Sequence, residues 1–249
     1  MDRRKTVVSL HVDQFKKKED SVGLLSSFIK SIDKIITDNK GQEKESTNNN
    51  IIAIFEEPIR AVQTAIEVER KLYTYNKELI TQGFSKIQAG TAIHTETENG
   101  KTSCSASVID YLTDYYCAGI IISDNVKKNI NGSYAMRFLD YVELNENGPA
   151  FTLYEIFEPE PEKVKRTKNE IDPYLKKAFN MYKKGFFERA MRVYEELIEY
   201  VGPHSYKPDV CMDPVLHFYR NRSEQLMNLL DNNRLHLENW TGVYKINKM

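Results

Sequence analysis

The strongest constraint on this chain is a pair of apolar runs too short to be helices. Val7–Val12 is rich in valine with Leu10 at its centre, and Ile51–Phe55 is unbroken. Runs of this length and composition build strands. Each is followed by apolar residues at helical spacing. Val22, Leu24, Leu25, Phe28, Ile29, Ile32, Ile35 and Ile36 recur over residues 20–39, with Asp20 or Ser21 placed to cap the helix. Pro58 opens a second helix to about Leu79, with Ile59, Val62, Ala65, Ile66, Val68 and Leu72 on its inner face, and Gly83 ends it.

The rest of the first half continues this alternation. Residues 38–50 are polar, with room for a short strand. Residues 87–94 read as a strand, 96–106 as a loop or short hairpin, 108–117 as a helix, 119–123 as a short buried strand and 124–130 as a short helix. Residues 136–144 and 151–157 read as paired strands joined by the turn ENGP. Strands and helices in this order predict an α+β fold with one mixed or antiparallel sheet covered by helices, over residues 1–157.

Residues 158–170, EPEPEKVKRTKNE, have two prolines, dense charge and almost no apolar residue, the composition of a linker. Beyond them the pattern is helical. Ala178, Tyr182, Gly185, Ala190 and Tyr194 stand at spacings that resemble one tetratricopeptide repeat, with a further helix near 212–230. A C-terminal α-helical module over 171–249 is therefore expected. Tyr182, Phe186 and Tyr194 are its candidates for meeting a partner, and Trp240, the only tryptophan, is expected to dock.

The net charge of −1 over 249 residues gives no electrostatic footprint for nucleic acid or an anionic membrane surface. The three cysteines are spaced too widely for a zinc site and read as reduced thiols, which points to a cytoplasmic setting. Residues 1–5 show no signal-peptide pattern, and no apolar stretch approaches the ~18 residues that span a bilayer.

Five segments in order resemble the catalytic domain of class III adenylate and guanylate cyclases. They are the strand ending on Asp13, the strand and helix over 48–72, IHT at 93–95, GIIISDNV at 119–126, and the last strand pair ending LYEIFE. The resemblance implies a ferredoxin-like cyclase sandwich. It also implies two metal-binding carboxylates, one at the end of the first strand and one in the turn before the strand Ile51–Phe55. Asp13 stands at the first position and Asn49 at the second. An amide brings no charge, and magnesium in phosphate sites leans on carboxylates. The base-reading position falls on Glu45, with Lys44 beside it, so no base preference can be read. The turn whose backbone amides hold phosphate in the family reads QFKKKED here. On the helix matching 107–116 the family sets an asparagine and, one turn later, an arginine that stabilises the transferring phosphoryl group. This chain has no arginine between Arg70 and Arg137, and no Asn-x-x-x-Arg anywhere.

The losses predict a degenerate cyclase-like signalling protein without activity, with no metal or other cofactor, acting by homodimerisation, regulation or protein interaction. Two alternatives stay open. One is an active adenylate or guanylate cyclase, using magnesium or manganese, that completes its site with a partner chain. The other is an interaction adaptor in which the helical module does the work.

Overall fold

The computed structural model describes residues 4–13, 22–47, 50–97, 103–143, 150–202 and 213–245. They group into two compact units. The first comprises 1–136 with 154–159, and the second 137–153 with 160–249.

The first unit runs β1 (Arg4–Asp13), α1 (Val22–Asp38), β2 (Gln42–Ser46), β3 (Asn50–Phe55), α2 (Pro58–Thr81), β4 (Gln88–Thr97), α3 (Ser103–Tyr116), β5 (Ile120–Ser123) and α4 (Asp124–Lys128). Its strands lie in the order β2-β3-β1-β4-β5. The pairs β2/β3, β3/β1 and β1/β4 are antiparallel, and β4/β5 is parallel, so the sheet is mixed.

Alternation along β1 divides its side chains between two faces. Val8, Leu10 and Val12 enter the core with Ile51, Ala53 and Phe55 of β3. Phe28, Ile32 and Ile36 of α1 and Ala61, Val62, Ala65 and Leu72 of α2 complete that core. Each fully buried large side chain there contributes about 1.5–3 kcal/mol. Pro58 stands at the start of α2, where its missing N–H costs nothing. The helix ends as Phe84 N–H reaches back to the Leu79 carbonyl at 2.9 Å.

The second unit contains β6 (Met136–Glu143, from Arg137 on) and the first residues of β7 (Ala150–Ile156). Then come α5 (Glu162–Lys183), α6 (Phe187–Val201), α7 (Pro214–Asp231) and the two-residue β8 (Tyr244–Lys245), parallel to β6. Gly185 has φ +81 in the turn between α5 and α6, and a Cβ there would lie 2.7 Å from Leu237 Cδ2.

Residues 158–170 differ from the linker expected of their composition, since Glu162–Glu170 lies within α5. The charges are placed by pairing. Lys168 is 3 % exposed, and its Nζ donates to Glu160 Oε1 at 2.6 Å. The strand β6 also groups with the helices rather than with the preceding strands. Arg137 donates twice to Asp213, at 2.5 and 2.7 Å, and Arg222 donates to Asp140 at 2.6 Å, all four residues being buried. Tyr219 Oη donates to the Leu139 carbonyl, and Phe138 packs on Phe179. Helix α3 starts at Ser103, earlier than the periodicity indicates.

Candidate functional site

The face of β1 opposite the apolar core carries Ser9 and His11, which break its hydrophobic run. Across from His11, β3 presents Asn50 and β4 presents Gly90. Helix α3 lies over this spot with Asp110, Thr113 and Asp114. The close approach depends on Gly90. A Cβ there would fall 1.9 Å from Thr113 Oγ1 and 2.6 Å from His11 Cε1, so any side chain would push the helix off the sheet.

Both nitrogens of His11 meet carboxylates. Nδ1 is 3.0 Å from Asp110 Oδ1, and Nε2 is 3.0 Å from Asp114 Oδ1. The Ser9 hydroxyl lies 3.1 Å from Asp110 Oδ2, to which it donates, and 3.4 Å from Asn50 Oδ1. The hydrogen bond to Asp110 raises the His11 pKa to about 9, against burial and with help from both negative charges. His11 is therefore an imidazolium near neutrality, held between Asp110 and Asp114. Burial pushes the Asp110 carboxyl up, and the hydrogen bond from His11 opposes it.

These residues do not fit a divalent cation. His11 has no free ring nitrogen, and Asp110 and Asp114 each commit an oxygen to it. Among the described residues no group of three or more His, Cys, Asp or Glu is disposed to hold a metal ion. A cavity of about 520 Å³ adjoins the cluster, lined by Glu69, Gln88, Thr113, Asp114, Cys117 and Gly119 among others.

Asp13 ends β1 with its backbone opposite Gln88, and its side chain lies outside the described residues. Asn49 lies outside them altogether. Glu45 is exposed on the edge strand β2, opposite Ile52. Lys44 sits where the β2/β3 register shifts, and its side chain is not among those described. His94, from the IHT segment, is buried, with Nδ1 2.8 Å from Ser123 Oγ. Burial lowers its pKa to about 4, so it is neutral.

In the second unit Tyr182 and Tyr194 differ from the expectation of partner-facing residues. Both are fully buried, Tyr182 against Phe179, Phe187 and Tyr219, and Tyr194 stacked on Tyr219. Trp240 packs edge-on against Tyr182 and Phe187, and its Nε1 donates to the Lys183 carbonyl at 3.1 Å. Phe186 alone of the four is exposed, at 50 %.

No family model matches the chain. Known structures resemble it more clearly. The adenylyl cyclase CyaB of P. aeruginosa aligns with a TM-score of 0.55 at 15% identity, over 63% of this chain and 94% of that one. The guanylate cyclase domain of RhGC from Catenaria anguillulae aligns with a TM-score of 0.52 at 18% identity, over 63% and 97%. The chain carries the cyclase-domain fold. In sequence it is 24% identical over 201 residues to the terminal-differentiation-specific adenylate cyclase of Dictyostelium discoideum. That match spans 71% of this chain and 9% of the relative. Among the described residues no helix is long and apolar enough to cross a membrane.

The His11 cluster was missed by sequence reasoning. Its signal was present as two polar interruptions of β1 two residues apart, and as the i,i+4 pair Asp110 and Asp114. Nothing local links them, because His11 and Asp110 are 99 positions apart.

Proposed function

We propose that this chain is a degenerate cyclase-like signalling protein that does not cyclise nucleotides and acts through dimerisation and regulation of partner proteins. The observation that carries this reading is a pair of carboxylates on α3, where the resemblance implies an arginine. The resemblance implies carboxylates on the strand side, to hold cations, and an arginine on the helix, to meet the phosphoryl group. Here β1 keeps Asp13 at the first carboxylate position, but the helix offers two further carboxylates, Asp110 and Asp114, one turn apart, both paired with His11 of β1. Carboxylates at that place repel a triphosphate instead of stabilising charge that develops on it. The amide at Asn49 and the absence of arginine between Arg70 and Arg137 support the same reading.

Nucleotide binding tests it. Magnesium with ATP or GTP at millimolar concentration is expected to leave the melting temperature unchanged, because a ligand that binds only the folded state must raise it. A magnesium-dependent rise of several degrees would count against the proposal and favour a working site completed by a partner chain.

A further inference from the structure

We propose that the groove between α5 and the start of α6 docks an acidic peptide segment bearing a large apolar side chain. The groove has a volume of about 470 Å³ and is lined by Pro173, Lys176, Lys177, Asn180, Met181, Lys184, Phe186 and Arg189. Four of these eight are cations and none is a carboxylate. Lys176 is held by Asp172, the residue one turn before it. Lys177, Lys184 and Arg189 are exposed and have no ion-pair partner among the described residues. Three uncompensated cations around one concavity attract a complementary anion.

The apolar part of the groove fixes the rest of the partner's chemistry. Phe186 is half exposed at the N-terminal end of α6, beside the partly buried Met181. The Arg189 guanidinium lies 5.5 Å from the Phe186 ring centroid, so cation and aromatic act at one place. Asn180 adds an amide able to bond a peptide backbone in either sense. Charge, an aromatic anchor and a backbone-reading amide in a concave site suit a peptide. A lipid surface is flat and meets protruding groups, and an overall charge of −1 does not favour the phosphate backbone of nucleic acid. The inference rests on the second unit only, so its failure leaves the reading of the cyclase-like site untouched.

The test uses the full chain and a fluorescein-labelled synthetic peptide of glutamates flanking a central leucine pair. Fluorescence anisotropy at physiological ionic strength is expected to show saturable binding that weakens as salt is raised. The double variant Lys177→Glu, Arg189→Glu should weaken it on the order of ten-fold with an unchanged melting temperature. Should that variant melt early, Lys184→Glu alone replaces it. Phe186→Ala should bind the leucine peptide no better than an all-glutamate one. Lack of saturable binding, or equal affinity for a charge-reversed variant, overturns the proposal. So does tighter capture by phosphatidylserine vesicles or by a single-stranded oligonucleotide than by the peptide.

Discussion

His11 places a titratable group inside a strand, and its protonation is tied to folding. The folded pKa of about 9 exceeds the ordinary value of 6.5 because the imidazolium is bound by Asp110 and Asp114. The stabilisation from the charged ring is therefore complete below pH 6.5. It declines as the pH rises from there and is lost as the pH passes about 9. The wild-type melting temperature should fall across that window by more than that of His11→Gln, which carries no titrating ring. Parallel curves for the two proteins would refute the assignment. At pH 6.5 the His11→Ala variant should lose about 2–3 kcal/mol in urea unfolding, because Asp110 stays buried without its cation. Asp13 was legible from sequence as a strand-end carboxylate. The ion cluster was not, because its strength comes from helix α3 closing over β1 at Gly90, a contact that no local pattern records.

Most elements of the first unit were legible because each has one apolar face and a terminator. Pro58 and Gly83 bracket α2, and the alternation in β3 is visible in Ile51, Ala53 and Phe55. The segment 158–170 was misread because composition cannot distinguish solvated charge from charge paired within a helix, as with Lys168 and Glu160. Lys40, Cys117 and Asn233 stand just past helix ends with positive φ. Lys40 follows α1 with φ +63, a left-handed conformation that costs a residue with a Cβ about 1–2 kcal/mol. Its side chain is exposed. Lys40→Gly should therefore stabilise the protein by about 1 kcal/mol, the loss of chain stiffness offsetting part of the relief. Chemical denaturation measures this, and a lower midpoint for the variant would contradict it.

For the molecule as a whole, the grouping of β6 with α5–α7 governs where the chain can be cut. Arg137 and Asp140 on β6 are buried and matched by Asp213 and Arg222 on the helical side. Removing residues 171–249 strips both partners, at about 3–5 kcal/mol for each buried pair that is broken. The truncated chain should lose its cooperative melting transition, and an unchanged transition would show that β6 does not need the helices. The fold also motivates self-association. A head-to-tail homodimer is expected in sedimentation at tens of micromolar, against which a purely monomeric boundary would count. The central claim is that a cyclase fold with carboxylates on α3 in place of the arginine performs no cyclisation. Its most direct test is a cyclase assay of the pure protein with manganese and either ATP or GTP. The expected result is no cyclic AMP or cyclic GMP above an Asp13→Ala control. Cyclic nucleotide formed above that control would contradict the account.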